Sequence, residues 1–219
     1  MSKASSSGAD GARPAFVTGG TQRRVMGASD WWFYPLMLVA ALGLIVLSLG
    51  LDAFDTRVTP QRAERQGATL SYGPHQLARG TRIDADQVRY VVRDFGVNAR
   101  AVRFAVKPNR PAPTARDTGA RLLLDPAETA ALVGKPVRVE VQYVRLPRTA
   151  AGGMALSLQN GGPVIWASKP LPPESGVVTI DLPAVAGAAP TALGLRMLSD
   201  REDFNCGGEI QRITLKPLG

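Results

Sequence analysis

The chain has 219 residues, with 26 Lys+Arg against 18 Asp+Glu (net charge +8), 45% hydrophobic residues, one Cys and one His. That length suits one domain with its own core and is short for two. The single Cys excludes an intramolecular disulfide and, with the single His, a His-rich metal site. The excess of base invites nucleic-acid or membrane-surface binding, but the basic residues (21 Arg and 5 Lys) are spread along the chain.

Residues 1–30 are rich in Ser, Gly and Ala without apolar periodicity and read as a disordered cytoplasmic tail. Residues 31–51, WWFYPLMLVAALGLIVLSLGL, then run 21 positions without a charge. At ~1.5 Å per residue a helix here spans roughly 30 Å, the thickness of a bilayer core. Trp31, Trp32 and Tyr34 supply amphipathic rings for the membrane interface, Pro35 falls in the first turn, and Ser29 or Asp30 is placed to cap. A cleaved signal peptide ending after Gly50 is the alternative, but the apolar run exceeds the usual ~7–15 residues. A helix apolar on every side is unusual in a soluble core. The expectation is an uncleaved single-pass transmembrane helix. Arg23 and Arg24 before it, against Asp52 and Asp55 after it, place the amino terminus in the cytoplasm. The remainder then lies in the periplasm, on a bacterial inner membrane.

Residues 52–68, polar and broken by Pro60, read as a juxtamembrane stalk, and residues 69–219 as one folded domain. Period-two alternation of apolar and polar side chains marks strands at 102–107, 137–143, 154–159, 178–182, 193–197 and 211–216. Turn-formers separate them: Gly152-Gly153, the 160–163 run NGGP, the 169–173 run KPLPP, and the 206–208 run CGG. One short helical turn is expected at 126–133. Without long crossover helices the strands must pair antiparallel, which gives an all-β sandwich, or jelly roll, behind the transmembrane helix.

The order GKPVRVEVQYVRLP, MALSLQ, VIWAS, GVVTIDLP, TALGLRML and a Gly-rich loop before Glu209-Ile210-Gln211-Arg212-Ile213-Thr214-Leu215 resembles the jelly rolls of carbohydrate-binding modules and galactose-binding-like domains. The resemblance runs from about residue 100 to 218 and is architectural. It implies a binding or accessory module, often for polysaccharide, with ligand held on a sheet face or by end loops.

Sugar binding asks for an aromatic platform beside planar hydrogen-bonding groups. Arg138, Glu140, Gln142, Gln159 and Arg196, at outward strand positions, with Trp166, are the candidate ligand residues. The competing reading makes the polar members a solvated face and Trp166 part of the core. Asp200, Asp203, Asn205 and Glu209 form an oxygen-rich run that would suit a structural Ca2+, although Arg201 and the absence of the full calcium-loop spacing favour a polar hairpin loop. No other cofactor is expected. His75 sits in a turn without an evident partner. Neither a G-x-S-x-G elbow nor an E-x-D-x-E run is present, so no enzyme is expected.

The function expected first is a non-catalytic accessory subunit of a membrane complex, its partners being the bilayer and other membrane proteins. The alternative is a periplasmic polysaccharide-binding module with an acidic glycan as ligand. Lipid transport would need a long apolar groove, and nucleic acid is not an expected partner. Divided by compartment, the charge is +2 over residues 1–30 (four basic, two acidic) and +6 over 52–219 (22 basic, 16 acidic).

Overall fold

The computed structural model describes residues 28–49, 58–110, 112–199 and 201–219, with helix side chains described for 31–45. The tail, the charges that set orientation (Arg23, Arg24, Asp52 and Asp55) and the caps Ser29 and Asp30 lie outside the described residues and side chains. The chain divides into two units, Met1–Ile45 and Val46–Gly219.

In the first unit, α1 (Ala28–Leu49) is a single helix. Pro35 lies well inside it and not in the first turn, so the carbonyl of Trp31 loses its helical donor. Trp31, Trp32 and Tyr34 are 81%, 74% and 67% exposed, and the rings of Phe33 and Tyr34 meet edge-on at 5.9 Å. Among the described residues no helix is long and apolar enough to cross a membrane; the stretch with described side chains is roughly 22 Å long.

The second unit is a β-sandwich of two antiparallel sheets. Its strands are β1 (Glu64–Gln66), β2 (Thr69–Tyr72), β3 (Thr81–Arg82), β4 (Gln87–Asp94), β5 (Asn98–Val106), β6 (Ala120–Leu123), β7 (Val137–Arg145), β8 (Gly153–Gln159), β9 (Ala167–Pro170), β10 (Gly176–Leu182), β11 (Ala192–Leu198) and β12 (Cys206–Pro217). Two short helices, α2 (Pro74–Gly80) and α3 (Pro126–Thr129), join them, the second continuing as a 3-10 turn, Ala130–Leu132. The turn at α3 was expected; α2, which carries the exposed His75, was not. Asp125 caps α3 by accepting a bond from the Ala127 N–H at 3.0 Å.

Strand β12 organises the seven-stranded sheet. It pairs with β7 along one side, and along the other with β5 through Cys206–Ile210 and with β2 through Ile213–Leu215. The register shifts between Ile210 and Arg212, a bulge that lets one strand serve two neighbours. β4 extends this sheet from β5, β1 from β2 and β10 from β7. The five-stranded sheet runs β3-β6-β11-β8-β9. The inward alternate residues meet in one core, in which Leu70, Tyr72, Phe104, Val139, Val141, Ile213 and Leu215 face Leu122, Met154, Leu156, Leu193, Leu195 and Met197.

Two boundaries differ from the sequence reading. Residues 64–66 pair with 69–71 as a hairpin, so part of the expected stalk belongs to the sandwich. Gly207 and Gly208, taken as turn-formers, lie inside β12. A Cβ on Gly207 would sit 2.2 Å from the Phe104 carbonyl oxygen, so glycine is there for close strand approach. Cys206 beside it is buried and free, as the fold requires of a lone thiol in an apolar core.

Candidate functional site

The six candidate ligand residues do not form one site, because β7 belongs to one sheet and β8 and β11 to the other. Arg138, Glu140 and Gln142 lie on the outer face of the seven-stranded sheet. There Arg138 makes a bidentate pair with Asp181 across the β7–β10 ladder (2.8 and 3.1 Å), and Lys216 pairs with Glu140 at 2.7 Å. Arg103 pairs with Glu209 on the same face, and Arg212 with Glu64 at 3.4 Å. This is a solvated, charge-matched surface. Asp181 titrates below its ordinary range because it accepts the Arg138 hydrogen bonds, and Arg138 is shifted upward by the same bonds.

Gln159, Trp166 and Arg196 belong together on the outer face of the five-stranded sheet. That face departs from the usual pattern, for its outward residues are as buried as its inward ones: Ala155, Ser157 and Gln159 on β8, Ala192 and Arg196 on β11. What covers them is the segment 114–118, which links β5 to β6, together with Trp166. The Trp166 indole N–H donates to the carbonyls of Thr114 (3.1 Å) and Asp117 (3.2 Å). Gln159 donates to the Thr118 carbonyl and the Ser157 hydroxyl, both at 3.0 Å. Arg196, 4% exposed, meets Asp117 at 3.1 Å, while its Nε has no hydrogen-bond partner among the described residues. Asp117 is held below the usual carboxylate range chiefly by the Thr114 backbone N–H, with the Thr114 hydroxyl and Arg196 adding to the shift against the opposing effect of burial.

Glycine makes this close layering possible. A Cβ on Gly194 would fall 2.3 Å from both the Gln159 amide nitrogen and the Ser157 hydroxyl. Gly119, at φ +65, turns the chain into β6 where a Cβ would lie 2.8 Å from the Leu195 carbonyl oxygen and the Trp166 ring.

Beside this covered centre the same face opens into a groove of about 540 Å³. Its floor is Arg121 and Leu123 of β6, Ala192 of β11 and Gln159 of β8; its walls include Thr118, Val164 and Pro60. No lining residue is acidic. A second hollow of about 340 Å³, lined by Gly153, Ser168, Pro170 and Leu198, lies at the far end of the face. Arg89, half-buried, steadies one edge by donating to the carbonyls of Ala78 and Thr81 at 2.7 Å each; burial lowers its pKa.

The oxygen-rich run is not gathered. Asp203 and Asn205 are exposed in the loop before β12, Asp200 lies outside the described residues, and Glu209 is drawn into β12 by its pair with Arg103. Among the described residues no three His, Cys, Asp or Glu side chains are grouped as a metal would need. Arg201 stacks over Phe204 with its guanidinium carbon 5.1 Å from the ring centre.

Sequence reasoning missed Arg121 and its neighbour Arg82. They are register partners in the β3–β6 ladder and therefore point to the same, outer, face. Neither lies in a long alternating run, and the signal that couples them is the strand pairing itself.

The class of protein these features define is an antiparallel β-sandwich with a groove on the outer face of one sheet. The chain is similar to the CBM22-1 xylan-binding domain from Paenibacillus barcinonensis Xyn10C, at 11% identity over 73% of this chain and 97% of that one, with a TM-score of 0.44. It is also similar to BiXyn10A CBM1 (7% identity, 71% of this chain and 99% of that chain, TM-score 0.40). A third likeness is to the Podospora anserina GH26-CBM35 beta-(1,4)-mannanase (15% identity, 70% of this chain and 28% of that chain, TM-score 0.31). No protein-family model and no curated protein sequence matches the chain.

Proposed function

We propose that the sandwich is a non-catalytic saccharide-binding module carried at a bacterial inner membrane by the 31–51 segment. The observation that carries the reading is the groove: an open trough on a sheet face, walled by apolar residues and floored by a guanidinium and an amide. Pyranose rings present C–H faces to apolar walls and hydroxyls to planar polar groups, which is the lining found here. Trp166, half-buried, belongs to the cover over Gly119 and Gly194, its indole N–H engaged by the carbonyls of Thr114 and Asp117. The anchor rests on the 21-residue uncharged run and on the tryptophans and tyrosine at its start. Periplasmic placement of the sandwich follows from the flanking charges.

The test is retention of the full-length chain, in detergent micelles, on an array of bacterial and plant polysaccharides. Binding to at least one glycan class supports the reading. Recovery from the array without any retained glycan overturns it.

A second reading, an accessory subunit of a membrane complex, is favoured by the hairpin joining β4 and β5. β4 is an eight-residue edge strand, and at the hairpin tip Phe95 is fully exposed at φ +45 next to exposed Val97. An aromatic residue held in the left-handed region without any packing gain fits a surface completed by a protein partner. Gentle extraction followed by mass spectrometry separates the two: a stoichiometric membrane complex supports the second reading, and the chain recovered alone contradicts it.

A further inference from the structure

Resting on the saccharide reading, the structure assigns to the groove a further specificity: the ligand carries carboxylates, as a uronate-containing polysaccharide does, and Arg121 with Arg82 recognises them.

Arg82 and Arg121 are opposed in register, so two guanidinium groups rise from adjacent strands on one face, with Cβ atoms about 5 Å apart. Like charges in that relation oppose pairing. Where like charges stand opposed in the other sheet, at Arg138 and Lys216 of the β7–β12 ladder, each has a carboxylate, Asp181 for Arg138 and Glu140 for Lys216. Among the described residues, Arg82 and Arg121 have neither a carboxylate nor a hydrogen-bond partner. The acids near this side are already engaged, Asp117 by Arg196 and Thr114, Asp84 by the Thr118 hydroxyl at 3.0 Å, Asp125 by the Ala127 N–H and Glu128 by the Ala63 N–H.

The surroundings make the pair a binding element. Arg121 is half-buried and lines the 540 Å³ groove, where none of the lining residues is acidic. Gln159 on the floor and Thr118 on the wall bring an amide oxygen and a hydroxyl oxygen as acceptors, their hydrogens being donated to Thr118, Ser157 and Asp84. Gly194, the register partner of Arg121 on β11, is covered by Ser157, Gln159 and Trp166, so the layer that closes the centre of the face ends beside the guanidinium. A planar guanidinium binds a carboxylate through two parallel N–H donors, and a half-desolvated site strengthens that bond relative to bulk water. A sugar acid satisfies each part of the site at once: its carboxylate on the Arg82–Arg121 pair, its ring against Leu123 and Val164, its hydroxyls on Gln159 and Thr118.

The test is isothermal titration of the full-length chain in non-ionic detergent with oligogalacturonate, oligomannuronate and oligoglucuronate, the methyl ester of each, cellohexaose and xylohexaose as neutral oligomers, and inorganic phosphate. At least one uronate oligomer is expected to bind and its ester, which keeps the skeleton and removes the charge, to bind about tenfold or more weakly. Arg121→Gln and Arg82→Gln are expected to remove that preference, Arg121→Lys to keep part of it, and added salt to weaken the acid form selectively. Circular dichroism melts check that each variant is folded; if Arg121→Gln is not, Arg82→Gln and Arg121→Lys carry the test. Equal binding of acid and ester, or binding of the neutral oligomers alone, overturns the carboxylate assignment and leaves the saccharide reading standing. Phosphate competing as well as the best uronate overturns the saccharide as the source of the anion. Failure of every oligomer to bind overturns both the assignment and the reading beneath it.

Discussion

The outer faces of the two sheets begin from the same kind of sequence, apolar residues alternating with polar ones, and end as different surfaces. On the seven-stranded sheet the outward residues include charges matched by opposite charges from other strands, as in Arg138 with Asp181, Lys216 with Glu140 and Arg103 with Glu209. On the five-stranded sheet the central outward residues are small, amide-bearing or, at Arg196, a buried guanidinium, a segment from elsewhere in the chain is laid over them, and an arginine pair at one edge is left without a carboxylate. The difference teaches that a polar strand face is defined by what its neighbours in space supply. A matched ladder is finished as it stands, whereas a covered face with unmatched charge at its margin leaves that charge to solvent or to a ligand.

That contrast is open to attack at particular residues. The largest effect is expected from Asp117→Ala, which strands the buried Arg196 guanidinium and releases the 114–118 segment. A loss of about 2–4 kcal/mol is expected by chemical denaturation, toward the lower end because the Asp117 side chain keeps some contact with water. Gly194→Ala should follow at about 1–3 kcal/mol, since its methyl group would meet Ser157 and Gln159. An intact Gly194→Ala stability would show that the layer over β11 is loose.

Acidification probes the same contact without a mutation. Because Asp117 titrates below its ordinary value in the folded protein, its contribution is present above the unfolded pKa of about 3.9 and is lost as the pH falls through the lower, folded value. Fluorescence of Trp166, in a Trp31→Phe and Trp32→Phe background, should therefore stay constant down to about pH 4 and change below it. A transition near neutral pH would contradict the assignment. The smallest effect belongs to the open face: Glu140→Gln, which breaks the partly exposed pair with Lys216, should shift stability by less than about 0.5 kcal/mol.

The sequence revealed most of the strands and little of the site. β7 was readable because Val137, Val139, Val141 and Tyr143 all face one core while Arg138 and Gln142 face water. β4 was not, because at the edge of its sheet it is half-buried on both sides and its sequence, QVRYVVRD, breaks the alternation at Val91-Val92. β8 and β11 were recognisable as strands, yet Ser157, Gln159 and Arg196 gave no sign that the segment 114–118, far earlier in the chain, covers them. Trp166 and Gln159 were singled out for their chemistry and do share a face. Arg138 and Glu140 were singled out on the same ground and lie on the other sheet, since which sheet a strand joins is decided by long-range pairing. Arg121 sits in the run ARLLLD, where one arginine before three leucines carries no pattern, and it acquires meaning only opposite Arg82.

Hydrogen-deuterium exchange of the full-length chain, with and without a saturating glycan found on the array, tests the central claim most directly. The account predicts slowed exchange confined to residues 114–123 and 159–164 and to the β11 backbone near Ala192, with 137–145 unchanged. Protection of 137–145 with the five-stranded face unaffected would contradict it.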